Sequence, residues 1–439
     1  MANRNIREQV DLIREVFTYI ERFKGSIFVI KIANDIIDHP CFLQHTGDLA
    51  LLHKAGIRTV IVPGARRRID EVLERFGAAS QFVNGTRISD PAAIDLVKMA
   101  AFDVAHRVMT ALSSHKTPAV IGNWVRARSR GVVDGVDFQR TGFIDKVDAP
   151  TLTQTLNQGS VAIFPCVGHN ETGQPFNLSS DEMAGAVAAA CGAQKIFHLE
   201  ALPVLKVPEW QVPESLKVLE DGRIFRINSG TVSDILALNP KQPGRELLSC
   251  AAESCRGGIE RVHILDGRCS GVLLQEVFSN LGVGTMIFAD DYEYIRPMET
   301  SDIPGVLEVI APLAEKGILI PRSREDLEQH RKDYWVYAMD SVIHGCAALH
   351  PREKGWAEIA AVAVDARYAQ LGIGARLLSR LSEEALQLGI QQVFVLTTRT
   401  ADWFLSQGFK EASPADLPPD KLAVYNTKRN SRVLVKQLS

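Results

Sequence analysis

The feature that most constrains this chain is its apolar rhythm between residues 26 and 285. Short runs rich in Val and Ile recur there: SIFVIKI (26–32), IRTVIVPG (57–64), VAIFPCVG (161–168), KIFHLEA (195–201) and ERVHILDG (260–267). Amphipathic helical stretches such as CFLQHTGDLALLHKAG (41–56) separate them. A strand covered on both faces reads as a continuous apolar run, because neither side meets water. Such strands separated by helices predict an α/β domain with an open, mostly parallel sheet. Ligands of these sheets bind beyond the carboxyl ends of the strands.

A second cadence begins near residue 292. YEYIRPMETSDIPGVLEVIAPL (292–313) reads strand, turn, helix. YWVYAM (334–339) and SVIHGCAALH (341–350) read as a hairpin turning at Asp340. GWAEIAAVAV (355–364), a helix from about 374 to 388, and the strands QQVFVLTT (391–398) and NSRVLVKQL (430–438) follow. The chain therefore divides into an N-terminal amphipathic helix (1–20), a domain over 21–286 and a mixed α/β domain over 290–439. In the helix, Ile6, Val10, Ile13, Phe17 and Ile20 form one apolar stripe, which can pack on its own domain or on a neighbouring subunit.

Composition narrows the function classes. Hydrophobic residues make up 46% and charged residues 23%, with 49 Lys and Arg against 52 Asp and Glu. A net charge of −3 gives no basic excess for nucleic acid. No run reaches the ~18–20 apolar residues that span a bilayer. MAGAVAAACGA (183–193) is too short, and the charged N-terminus is no secretory signal. The expected address is cytoplasmic, and the seven scattered cysteines are expected to be reduced. Cys250 and Cys255, the nearest pair, have no zinc-site spacing, so no metal is expected.

The sharpest local pattern is AVAVDARYAQLGIGARLLSRL (361–381). A strand ends at Val364, a loop carries Gly372 and Gly374, and a helix begins at once. Glycines let backbone N–H groups approach an anion without Cβ interference, and a helix N-terminus adds partial positive charge. The order resembles the GNAT acetyltransferase family, whose corresponding loop binds the pyrophosphate of acetyl-CoA. The resemblance assigns the acetyl-CoA contacts to Gln370, Leu371, Gly372, Ile373, Gly374 and Ala375. It places Val362 and Val364 beside the acetyl group and the pantetheine arm. Ala369 stands where the family has a basic or amide side chain, with Gln370 one position off.

Residues 20–285 resemble the amino acid kinase fold. The match runs through FVIKIA (28–33) with Lys31, TVIVPGARRRIDEVL (59–73), the segment 173–201 with Asn177 and Asp181, and LLQEVFSNLGVGTMI (273–287). Both domains together resemble the bacterial N-acetylglutamate synthase family, most closely in GVGTMIFADDYEYIRP (282–297), GILIPRSREDLE (317–328) and FVLTTRTADWFLSQGF (394–409). The phosphate loops of a kinase depart here. Ile32-Ala33-Asn34 follows Lys31, and Ala65-Arg66 follows Gly64, so side chains stand where phosphate needs bare backbone. The first domain is therefore expected to be regulatory.

What the resemblance implies is transfer of acetyl from acetyl-CoA to L-glutamate, the first step of L-arginine biosynthesis, with feedback by L-arginine. The implied proton acceptor is Glu358, and Thr397, or its neighbour Thr398, would serve the departing thiolate. Many relatives carry Cys where Ala361 stands. Arg322, Arg429 and Ser431 would hold the substrate carboxylates, with Arg324 and Arg432 as substitutes. Tyr19, His263, Glu276 and the backbone at Gly282 would form the arginine site. A homo-oligomer built through the first domain is implied too. The rival readings are a GNAT enzyme for another amine with a scaffold first domain, a non-enzymatic arginine sensor, and an active amino acid kinase.

Overall fold

The computed structural model describes residues 13, 16, 17, 19–83, 85–202, 205–214, 216–278, 282–289, 293–339 and 342–438. Ile6 and Val10 of the N-terminal stripe and the Asp340 turn lie outside the described residues. Residues divide into two compact units, 1–290 and 291–439.

The first unit is built on an eight-stranded sheet. Its strands are β1 (Ile27–Ile32), β2 (Arg58–Pro63), β3 (Ala119–Ile121), β4 (Val161–Ile163), β5 (Lys195–Glu200), β6 (Arg226–Asn228), β7 (Arg261–Asp266) and β8 (Thr285–Phe288). They lie in the order β6-β8-β7-β5-β1-β2-β4-β3. Pairing is parallel except between β7 and β8. The apolar run of β1 has a physical reason: Phe28, Ile30 and Ile32 face one core, while Ile27 and Val29 face the other.

Two features depart from the sequence reading. VAIFPCVG is two strands, because Pro165 interrupts it. Val161–Ile163 joins the main sheet, and Val167–His169 joins a separate four-stranded sheet. That second sheet also uses Val125–Ser129 and Gly142–Val147, whose polar residues carry no continuous apolar signal. All seven cysteines are free thiols.

The second unit holds a seven-stranded mixed sheet of β9 (Glu293–Pro297), β10 (Tyr334–Met339), β11 (Val342–Arg352), β12 (Trp356–Val364), β13 (Gln392–Thr397), β14 (Lys410–Ala412) and β15 (Arg432–Gln437). The order is β9-β10-β11-β12-β13-β15-β14. β12 and β13 are the one parallel pair in this sheet. They pair only from Trp356↔Gln392 to Glu358↔Phe394. Beyond that rung the two strands leave each other. Just past the same point β12 bulges: Ala347 of β11 faces both Ala361 and Val362, and Ala361 takes φ +50°. An extra residue kinks a strand and re-aims its backbone.

Candidate functional site

The separation of β12 from β13 leaves backbone groups of residues 359–364 without a partner on that side. A polar edge of this kind accepts an extended ligand much as a sheet accepts an added strand. Val362 and Val364 lie on this open segment, both half-buried. β12 then runs into a 3₁₀ turn, Ala366–Leu371, which contains Gln370 and buries Leu371. Asp365 caps the turn by accepting from the Arg367 amide. Gly372 follows in the left-handed region at φ +63°, where a Cβ would be strained. The helix Ile373–Gln387 starts directly. The amides of Ile373, Gly374 and Ala375 have no carbonyl four residues earlier in the helix, and their N-cap, Gly372, has no side chain to offer them. They form an anion cradle. Gly374 has a second reason to be glycine, which its sequence did not disclose: a Cβ there would stand 3.1 Å from Trp403 Cζ2 and 3.6 Å from Val364 Cγ2.

Glu358 occupies the last rung that pairs β12 with β13. It is buried, which excludes a solvent-facing strand glutamate. Its Oε2 accepts from Arg352 Nη2 and from Lys421 Nζ, each at 2.8 Å. Across the hairpin, Glu358 faces His350, whose Nδ1 meets Asp333 Oδ2 at 2.8 Å. Arg352, Lys421, His350 and Asp333 were missed by sequence reasoning. Lys421 is 63 residues from Glu358, so no local spacing could find it. Arg352 was findable, since the turn at Gly355 places it diagonally across from Glu358.

Thr397 ends β13 and is buried, while Thr398 is exposed beyond the strand. Thr397 Oγ1 accepts from the Thr400 amide at 3.0 Å and lies 2.8 Å from Thr400 Oγ1. When Thr400 donates in the second contact, the Thr397 proton is available to another acceptor. Arg429 donates to the Ile318 carbonyl at 3.0 Å, so it reaches the loop that carries Arg322. Arg322 itself lies 3.3 Å from Asp326. Ser431 is buried, and its carbonyl accepts from Tyr425 Oη at 2.7 Å. The two substitutes lie apart from this group: Arg324 pairs with Glu328 and Arg432 with Glu411, both on the exposed surface.

In the first unit, His263 on β7 and Glu276 on the helix Val272–Phe278 are both buried and meet at 2.6 Å. Glu276 is therefore no surface helix residue. Its Oε2 accepts from the amides of Val283 (2.6 Å) and Gly284 (2.9 Å). Burial pushes the carboxyl up, but His263 and these amides outweigh it and hold it below the usual range. Burial pushes His263 below its usual value despite Glu276. The pair thus holds an ionised carboxylate and a neutral imidazole. A carboxylate only accepts, so Nδ1 carries the proton and Nε2 is a lone-pair acceptor. That Nε2 is buried without a hydrogen-bond partner among the described residues. Gly282 takes φ +66°, and a Cβ there would meet Glu276 Oε2. Tyr19 approaches the same region, accepting from Lys195 Nζ at 2.7 Å. Glu276 has no free edge for a two-pronged guanidinium contact, because His263 and two amides already hold both oxygens.

The kinase-type residues are held differently. Lys31 Nζ lies 2.5 Å from Glu200 Oε1 and 3.0 Å from Asp181 Oδ1. Burial pushes this ammonium down, but the two carboxylates outweigh it and hold it above its ordinary value. Asp181, His198 and Glu200 have donor atoms within 4.8 Å of one another, a grouping a metal could use. Lys31 supplies the positive charge there. Asn34 Oδ1 accepts from the Arg68 amide at 2.9 Å, filling the N-terminus of the helix Arg66–Arg75. Among the described residues no helix is long and apolar enough to cross a membrane.

Fold and site together define a two-unit protein, an amino acid kinase-like unit followed by a GNAT acetyltransferase unit. Family comparison agrees: residues 26–202 match the amino acid kinase family and residues 304–409 the acetyltransferase (GNAT) family. The amino-acid acetyltransferase of Ralstonia nicotianae is 34% identical over 439 residues, covering 98% of this chain and 95% of that protein. That of Pasteurella multocida is 35% identical, covering 98% of both. The crystal structure of N-acetylglutamate synthase from Neisseria gonorrhoeae, complexed with coenzyme A and L-arginine, superposes with a TM-score of 0.85 at 30% identity, covering 98% of this chain and 99% of that one. The chain belongs to the amino-acid acetyltransferase family, and its activity is that of an amino-acid N-acetyltransferase.

Proposed function

We propose that this enzyme acetylates the α-amine of L-glutamate with acetyl-CoA, opening L-arginine biosynthesis, and that L-arginine bound to the first unit restrains it. One observation carries the catalytic reading: strand pairing stops at Glu358, and the edge opened beyond it leads through the 366–371 turn to a helix N-terminus. The open edge of residues 359–364 suits the amides of a pantetheine arm, and the amides of 372–375 suit its pyrophosphate. Arg322, Arg429 and Ser431 are the candidate carboxylate contacts.

The α-amine of glutamate is mostly ammonium at neutral pH, so a proton must leave before attack. Oε1 of Glu358 receives it, directly or through water. The freed amine attacks the thioester carbonyl, the C–S bond breaks, and the second amine proton passes to the departing sulfur, so that coenzyme A leaves as the thiol. Thr397 donates to the developing negative charge. No acyl-enzyme is formed in this scheme.

For the regulatory site, the neutral His263 Nε2 is a buried acceptor that matches a guanidinium N–H, and the Gly282 carbonyl is a second candidate. The neighbouring carboxylate of Glu276 fixes the imidazole tautomer and adds negative charge. Ile13 and Phe17 of the N-terminal stripe are 53% and 63% exposed in the single chain, which supports a second copy as their partner. Seven free thiols fit a cytoplasmic address. A thiol-release assay with glutamate, aspartate and a lysine peptide tests the acceptor. Turnover with glutamate alone is expected, and equal rates with the peptide would overturn the reading.

A further inference from the structure

We infer that Arg352 and Lys421 are positioning residues for acetyl transfer: they seize one oxygen of Glu358 so that the other faces the acceptor amine. The inference rests on the reading of Glu358 as proton acceptor. Both cations land on Oε2, each at 2.8 Å, and Oε1 takes no hydrogen bond from the described residues. A carboxylate with both oxygens fully bonded would offer the incoming proton no open lone pair. One bonded at neither would turn freely about its side-chain torsions. Fixing a reacting group before the substrate arrives removes that freedom from the barrier.

The clamp is assembled from separate elements. Arg352 ends β11, and Lys421 lies on the short helix Pro419–Ala423. Asp420, next to Lys421, lies 3.5 Å from Arg352 Nη1 and ties the two cations together. Two cations and two carboxylates leave the cluster neutral. The Glu358 side chain is 9% exposed, so water offers little competition for these bonds. Stability alone does not call for the arrangement, since apolar residues replace buried ion pairs at little or no loss. Convergence on a single oxygen of the residue the reaction needs is what points to function.

The rival use of these cations is direct grip on a substrate carboxylate. Arg352 Nε is buried with no partner among the described residues, and it could serve that purpose. Kinetics separate the two. Steady-state rates with glutamate and acetyl-CoA are measured on the full chain for Lys421→Met, Lys421→Arg, Arg352→Gln and Glu358→Gln, and for the first and third combined with Glu358→Gln. Positioning predicts that Lys421→Met lowers kcat by roughly 10–100-fold, the scale of a misplaced reacting group, while KM for glutamate stays within about threefold. Lys421→Arg should recover most of the loss. In the Glu358→Gln background the second substitution should cost less than about twofold, because its route of action is already gone. A raised KM at steady kcat, or losses that multiply in the double variants, would assign the cations to substrate binding and overturn the inference. So would unchanged kinetics. Normal turnover by Glu358→Gln would instead sink the proton-acceptor reading beneath it. Arg352→Gln reaches the same oxygen from another element and decides the matter if Lys421→Met does not fold, with coenzyme A affinity as the check on folding.

Discussion

Each unit contains a strand that ends in a glycine turn and enters a helix, and the two junctions differ by what fills the helix mouth. In the first unit, β2 passes through Gly64 and Ala65 into Arg66–Arg75, and the Asn34 side chain accepts from the first-turn amide of Arg68. In the second, β12 passes through Gly372 into Ile373–Gln387, and the N-cap glycine has no side chain to offer the amides. Geometry that could cradle a phosphate is present in both. In the first, one short polar side chain supplies the Arg68 amide with an internal hydrogen bond.

The comparison can be broken most forcefully at Glu358. Glu358→Gln should lower kcat by about 10²–10⁴-fold, the usual contribution of a general base, with coenzyme A affinity unchanged by calorimetry. Turnover close to that of the unaltered enzyme would move the working site elsewhere. Next in size is Gly372→Val. A branched side chain at φ +63° is strained and crowds the open cradle, so coenzyme A affinity should fall by at least about tenfold. Unaltered binding would reduce the loop to a plain turn.

Three smaller effects sharpen the first unit's side. Glu276→Ala releases the tautomer of His263 and removes a buried charge, so L-arginine affinity should drop about ten- to a hundredfold, equivalent to roughly 1.5–3 kcal/mol. Acid should act in the same direction. Burial lowers His263 below its ordinary 6.5, so the imidazole stays neutral above that pH, and protonation at lower pH turns the Nε2 acceptor into a donor. Arginine affinity should be flat above pH 6.5 and weaken below it; strengthening in acid would contradict the assignment. Linkage adds that a substrate whose binding arginine weakens must weaken arginine equally. The smallest effect belongs to Asn34→Ala, which strips an acceptor from a helix N-terminus. A loss of about 0.5–2 kcal/mol in stability is expected from thermal melting, with acetyl transfer intact.

Legibility in the sequence followed the range of the interaction. The strand–glycine–helix order at 361–381 was readable because every part of it is local, and β1 was readable because both of its faces are apolar. The grip on Glu358 was not, since Lys421 arrives from a distant helix through folding alone. Nor was the plug at Arg68, because Asn34 is 34 residues away and looks like an ordinary loop residue. The second sheet of the first unit escaped notice for a different reason. Its strands are short and half polar, so no period rises above the loops around them.

The parting of β12 and β13 sets a depth gauge. Above the rung of Glu358 and Phe394 a guest can insert between the strands, while at the rung itself the sheet is zipped shut. If the thioester binds as proposed, threaded from the helix mouth, it comes to rest at a fixed stop, and the fork of the sheet measures its length. On the proposed reading, chain length then decides which carbonyl halts beside the carboxylate. A longer acyl group would then meet the fork first and hold its reactive carbon short of the base.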